Sequence, residues 1–354
     1  MTLLEDVDVR SFECDRCGSP AAFEAMRCEH CEASLGYVPG QQVVRALLAD
    51  SEPAALYDES DGRTLWRCLN AAWGCNWMVP ATGGGMWCRS CRLTRGRPDV
   101  ARPDAIEAWM RAEADKRRLV HQLDVLGLPI EVRSDEAPQG LVFDLVHLPG
   151  EPALTGHRDG VITLDLLEAD DGHRDALRHQ LDESFRTVIG HLRHEIGHHY
   201  WARLVGQTDH ITQFRRLFGD ERADYTDAIA EHYSTAGRAR HDDGYISHYA
   251  GSHPLEDWAE TFAHYLHILD ANGTVTAHRL SIDGHHCDGS AASMVEIVDA
   301  WRPVAEAMNA VAASLGSPPI YPFVLSDTVV DKLAFVHERV VDHTARVRFY
   351  SATG

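Results

Sequence analysis

Two residue patterns in this chain could do chemistry. Residues 191–200 read HLRHEIGHHY, so His194, Glu195 and His198 form an HExxH match. On a helix, positions i and i+4 share a face, so both imidazoles can bind one Zn²⁺. Glu195 then faces the open coordination position, where its carboxylate can take a proton from water. The other pattern is built from cysteine. Cys14-x2-Cys17 and Cys28-x2-Cys31 are two knuckles ten residues apart. A tight CxxC turn brings two thiolates to one ion, and two such turns complete a four-sulfur tetrahedron. Cys68, Cys75, Cys88 and Cys91 form a looser set, with six residues between its first two members. The eight read as two structural zinc sites, with free buried thiols as the competing reading of the looser set. Spacing leaves open whether the sulfurs pair within or across the sets. Cys287, alone in a glycine-rich stretch, reads as incidental.

A catalytic zinc needs a third protein ligand and a place left for water. Position 204 is Leu, so the HExxHxxGxxH extension is missing and metzincin chemistry is excluded. Further on, SHYAGSHPLEDWAETFAHYLHI (247–268) offers Glu256 and Glu260, four apart at a helix start. One carboxylate can ligate while the other, a turn away, orients a ligating histidine. Helix geometry allows either to be the ligand; in the gluzincin arrangement of HExxH followed by such a helix it is the first acid, Glu256. Tyr249 could donate its phenol proton to a developing oxyanion. Tyr245 and His253 compete for that role, and His253 is also an alternative ligand or orienting group. His191 and His199 read as surface or supporting residues.

These groups must be positioned by the elements around them. Apolar spacing predicts a helix from about Asp104 to Leu126 and another beginning near Asp175, carrying Leu177, Leu181, Phe185, Val188, Ile189, Leu192 and Ile196. Further helices are expected over about 221–236, from Pro254 to Leu269, near 294–314 and over 326–341. GLVFDLVHL (140–148) and GVITLDLLEA (160–169) read as strands, the second as an edge along which an extended substrate could pair. Residues 273–293 read as a mobile Gly/Ser/His-rich loop. Residues 1–98, rich in Cys, Trp and Gly, predict short strands at Phe12–Cys14, Thr64–Cys68 and Asn76–Val79. RGRPDVARPDA (95–105) reads as a linker. The division is therefore 1–98, a double zinc ribbon, and 99–354, an α+β domain, mainly helical with a small mixed sheet.

Composition narrows the partners. With 33 Lys+Arg against 54 Asp+Glu, the 354-residue chain carries a formal net charge of −21, which repels phosphate backbones. The ribbon segment offers no basic island: residues 1–100 hold 10 Arg against 14 acids. A nucleic-acid partner is therefore unlike this chain, and docking of a protein partner is the simpler use of the ribbons. The chain has two lysines, Lys116 and Lys332, so no polybasic membrane tether is available. No 18-residue apolar run marks a membrane span, and the acidic start lacks a signal's apolar centre. A cytoplasmic protein is expected, where thiols serve metal rather than disulfides.

GHLRHEIGHHYW, SHYAGSHPLEDWAETFAHYLH, DAWRPVAEAMNAVAASLGSPPIYPF and KLAFVH together resemble the bacterial zinc-binding metallopeptidases that carry an N-terminal zinc ribbon. The likeness runs from Cys14 to about His337. It implies a zincin-like catalytic domain, with His194 and His198 as zinc ligands and Glu195 as base. The Tyr249-x6-Glu256-x3-Glu260 spacing is also similar to that of lethal-factor-type metallopeptidases, which supports Glu256 as ligand and Tyr249 near the oxyanion. The chain departs from the group at His199, where Tyr is usual, and in the 273–293 stretch. The expectation is one catalytic and two structural Zn²⁺, a peptide or protein substrate, and amide hydrolysis. The alternatives are an amidase on a small or carrier-bound molecule and a non-catalytic, zinc-stabilised adaptor.

Overall fold

The computed structural model describes residues 12–48, 55–58, 62–82, 85–99, 101–147, 155–170, 187–234, 243–282, 285–286 and 293–353. Strands dominate the N-terminal part. β1 (Phe12–Glu13) pairs antiparallel with β2 (Pro20–Ala21), and β3 (Leu35–Val38) with β4 (Val43–Ala46). β5 (Ala55–Asp58), β6 (Arg63–Arg67) and β7 (Met78–Pro80) form an antiparallel sheet in that order. Strands this short bury little by themselves. They are joined by an aromatic cluster in which Phe23 and Trp77 both pack on Tyr37, and by Asn76, whose Nδ2 donates to the Phe23 carbonyl at 2.6 Å.

The connection expected to be a linker is pinned. Thr94 bridges Phe143 in parallel fashion, the Arg95 N–H donates to the Phe143 carbonyl at 3.1 Å, and the Arg95 guanidinium pairs with Asp144. Those partners belong to β8 (Val142–Val146), reached after helix α1 (Pro103–Val125). β9 (Gly156–Arg158) and β10 (Val161–Asp165) complete a three-stranded sheet in the order β8-β10-β9, with β8 parallel and β9 antiparallel to β10. β10 is thus the central strand, both its edges already hydrogen-bonded, and it cannot be the substrate edge the sequence suggests. β9 is the outer strand beside it. Residues 166–169 leave the sheet as a 3₁₀ turn, which Asp165 caps by accepting from the Leu167 N–H at 3.0 Å.

Seven helices are described. α2 (Val188–Trp201) is capped by Thr187, whose hydroxyl accepts from the Gly190 N–H at 3.0 Å. Val188, Leu192, Ile196 and Tyr200 are buried at four-residue intervals along it. The earlier part of the expected helix, with Leu177, Leu181 and Phe185, lies outside the described residues, as does Cys287. α3 (Ile211–Leu217) and α4 (Tyr225–His232) follow. The latter starts later than the expected 221 because Asp224 caps it, accepting from the Asp227 N–H at 2.9 Å.

α5 (Pro254–Ala277) runs eight residues past Leu269, into the stretch expected to be a loop. Tertiary packing carries it on: Asn272 donates to the Ile297 carbonyl at 3.2 Å and Val275 is buried. Residues 273–277 are therefore helix, and 281–282 pair with 285–286 as β11 (Ser281–Ile282) and β12 (His285–His286). α6 (Met294–Ser314) starts in a reciprocal box between Ser293 and Glu296. α7 (Asp327–Thr353) exceeds its expected end by a dozen residues. No helix among the described residues is long and apolar enough to cross a membrane.

Several of the charges buried between these helices are paired, as desolvation demands. Arg193 bonds Asp270 (2.7 Å), His267 (2.7 Å) and Gln122 (3.1 Å), tying α2 to α5 and α1. Lys116, fully buried, bonds Glu113 at 2.7 Å, and Lys332, 3% exposed, bonds Asp257 at 2.6 Å.

α2 crosses α5 at Gly197. A Cβ there would stand 3.1 Å from the Ala259 Cα and 3.1 Å from the Phe262 Cβ, tighter than nearly all real contacts. Trp258 Nε1 donates to the Gly197 carbonyl at 2.9 Å, locking the crossing. Gly197→Ala therefore forces the helices apart, and destabilisation of about 1–3 kcal/mol is expected in denaturant unfolding. Unchanged stability would show that the crossing has room to spare.

Candidate metal centre

The crossing brings one face of α2 against the first turns of α5. His194 and His198 lie on that face, and Glu256 and Glu260 face them from α5. The His194 Nε2 is 3.0 Å from Glu256 Oε2 and 3.1 Å from His198 Nε2, and the His198 Nε2 is 3.4 Å from the same Glu256 oxygen. Ligand atoms at the corners of a zinc tetrahedron, with bonds of about 2.1 Å, stand about 3.4 Å apart. The three side chains therefore match three corners of such a site.

The protons make the same point. Glu260 Oε1 lies 2.7 Å from His194 Nδ1 and, being a carboxylate, accepts its proton. That leaves Nε2 of a neutral His194 with a bare lone pair aimed at a carboxylate oxygen and a second imidazole nitrogen. Lone pairs converging on one space require positive charge between them, which a metal ion or a second proton on His194 can supply. Burial disfavours a charged His194, but its bonds to Glu256 and Glu260 outweigh this and hold its pKa well above the usual value. Burial likewise opposes the Glu256 carboxylate, and His194 and His198 overcome it, so its pKa falls well below the ordinary range.

Glu260 thus faces the Nδ1 side of the His194 ring and Glu256 its Nε2 side, with His198. Glu260 is itself held by the Ser247 hydroxyl, donating to Oε2 at 2.6 Å. Tyr249, in the 3₁₀ turn Tyr249–Ser252, places its ring 5.9 Å from that of His194. Glu195 is buried next to His194 and acts electrostatically on it and on Tyr225.

His253 is not brought to the centre. Its Nδ1 accepts from the Leu255 N–H at 3.1 Å, capping α5, so its Nε2–H is left to donate to the Ala223 carbonyl at 3.2 Å. The cap and the Ala223 carbonyl together engage both ring nitrogens, so His253 presents neither to the centre. Tyr245 lies under Lys332, 4.3 Å from its ring centre. His199 packs at 5.8 Å on His157 of β9, and burial, then Arg203, push its pKa down to about 3. His191 pairs with Glu168.

Sequence reasoning missed Tyr225 and Ser247. Tyr225 donates to Glu256 Oε1 at 3.0 Å from 31 residues upstream, a separation that carries no local signal. Ser247 stands two residues before Tyr249 within a segment already singled out, but a lone serine has no spacing to betray it.

The eight cysteines gather within their own sets. Cys14–Cys31 and Cys17–Cys28 have sulfurs 3.7 and 3.6 Å apart, and Cys75 lies 3.7 Å from both Cys88 and Cys91. Sulfurs around zinc, with bonds of about 2.3 Å, stand about 3.8 Å apart, whereas a disulfide needs about 2 Å. Cys68 completes the second group, accepting from the Cys88 N–H. Zinc suits both groups, and crossed pairing is ruled out by where the sulfurs are. The second group abuts α1, with Cys91 Sγ 4.0 Å from Glu113 Oε2.

Glu260→Gln removes the negative charge behind His194 and lets the amide offer the wrong hydrogen-bond group to Nδ1. Zinc affinity at this centre is expected to fall about 10–100-fold in chelator competition, with the ribbon sulfurs unaffected. Unaltered affinity would mean that the ring is aligned by packing alone.

Comparison with known proteins places this geometry in a lineage. Residues 105–339 match the family described as "Putative zinc-binding metallo-peptidase", and residues 11–102 match a zinc-ribbon domain. Uncharacterized proteins of Mycobacterium bovis and of two strains of Mycobacterium tuberculosis are each 40% identical over 342 residues, covering 95% of this chain and 96% of theirs. No solved structure matches the chain. The chain belongs to the zinc-binding metallo-peptidase family, with a zinc ribbon at its N-terminal end.

Proposed function

We propose that this protein is a zinc-dependent metallopeptidase that hydrolyses peptide bonds in the cytoplasm. Its parts are a zincin-like catalytic body over 99–354 and a ribbon module over 1–98 with two structural zinc ions. The observation that carries the reading is the convergence of His194 Nε2 and His198 Nε2 of the HExxH helix with Glu256 Oε2 of α5, beside Glu195. A zinc ion held by those three atoms supplies Lewis acidity, polarising the scissile carbonyl and lowering the pKa of water.

The chain's own groups do the rest. Glu195 takes the proton from the attacking water and returns it to the leaving amine. Tyr249 donates its hydroxyl proton to the oxyanion; burial, then Glu256, raise its pKa far above 10, so it stays a donor at neutral pH. Glu260, fixed by Ser247, keeps the His194 ring aligned. β9 offers the peptide an edge: it has a single strand partner among the described residues, and His157 on it stacks 6.4 Å from His198. An extended segment added to β9 passes the centre. The ribbons serve as a docking module for a protein partner.

Glu195→Gln tests the reading. Against a peptide library, turnover is expected to drop by about 10²–10⁴-fold or more while zinc content holds at the wild-type level. Cleavage that persists in the variant, or its absence from the zinc-loaded wild type, removes the peptidase assignment.

A further inference from the structure

Tyr225 is the one group at the centre that comes from α4, and it reaches a ligand atom the others do not. Glu256 divides its oxygens: Oε2 faces the two histidines and Oε1 accepts from the Tyr225 hydroxyl at 3.0 Å. The Tyr225 side chain is 48% exposed, yet its hydroxyl meets a carboxylate that is 2% exposed. The ring therefore spans from solvent to the buried ligand. Its placement is fixed from behind. His253 caps α5 through Nδ1 and holds Ala223 through Nε2, and its ring lies 5.2 Å from that of Tyr225. The first residue of α4 is thereby held in register with the ligand on α5.

Proton counting gives a direction to the rest. A phenol has one proton, and Tyr225 spends its proton on a carboxylate that can only accept. The direction is therefore fixed: the phenol donates and Glu256 Oε1 accepts.

Building on the metal centre proposed above, we propose that Tyr225 is a positioning residue for Glu256. Its proton holds Glu256 to ligation through Oε2 alone, leaving the remaining coordination space to water and substrate.

The test is zinc affinity, measured by competition with a chromophoric chelator on the full-length chain. Wild type, Tyr225→Phe, Tyr249→Phe and the His194→Ala/His198→Ala double variant are compared. Tyr225→Phe is expected to weaken zinc at this centre about 10–100-fold. Tyr249→Phe leaves the Tyr225–Glu256 bond in place and should stay within about twofold of wild type, well below the cost of losing a ligand's own partner. Placed in the double-variant background, Tyr225→Phe should not move the melting temperature, which separates positioning of a ligand from general stabilisation. Wild-type affinity in Tyr225→Phe, or an equal loss of melting temperature in the metal-less background, overturns the proposal. A double variant that binds as much zinc as wild type overturns the metal centre itself, and that result is read independently of Tyr225.

Discussion

Where α2 meets α5, a single methyl group on residue 197 would stand 3.1 Å from the backbone of Ala259. That closeness fixes the distance between the histidines of one helix and the carboxylates of the other. Helices packed through larger side chains sit 8–10 Å apart, with variation that their side chains decide. Glycine removes that variation at the crossing. The Trp258 indole, bonded to the Gly197 carbonyl, fixes rotation and sliding as well. The residue thus does for geometry what His194 and His198 do for chemistry, from inside the same five-residue motif. Behind it, Arg193 ties the helix to α1 and to the far half of α5, so the motif is gripped on both sides.

The ribbon part extends this framework. Four thiolates around a divalent ion leave a net charge of two minus, and the second cysteine group lies directly against α1. Lys116 on α1 is fully buried nearby, bonded to Glu113 and to Thr94 of the segment that follows Cys91. A buried ammonium needs such surroundings to remain charged. The Tyr37 hydroxyl meets His121 Nδ1 at 2.8 Å, and Arg117 bonds the Gly74 carbonyl at 3.1 Å, so the attachment to α1 is made along several of its turns.

Much of the chemistry was legible because it is local. HExxH and CxxC place their groups through one turn of backbone, and spacing alone reports them. Glu256 and Glu260 were legible as a pair, but their separate roles depend on which side of the His194 ring each reaches, which only the helix crossing decides. His253 looked functional by type and position; its ring nitrogens are consumed by a helix cap and a neighbouring carbonyl. The strand over 161–165 was found, but not its central place, because strand order depends on pairing between distant segments and not on the strand's own pattern. The end of α5 was misjudged for a related reason: Gly273 opens a Gly/Ser/His-rich stretch of low helix propensity, and contact with α6 overrides it. Tyr225 marks the limit, a site residue whose only credential is where the chain brings it.

The burial of both lysines has a consequence for how the protein meets other enzymes. Every positively charged side chain on its described surface is arginine or histidine, since Lys116 and Lys332 are enclosed in ion pairs. Reactions that need a lysine amine, such as acylation or the attachment of a tag through an isopeptide bond, find no side-chain acceptor on the folded molecule. They gain one only when α1 or α7 comes away from its neighbours. Conjugation at lysine would therefore mark the unfolded chain and spare the native one.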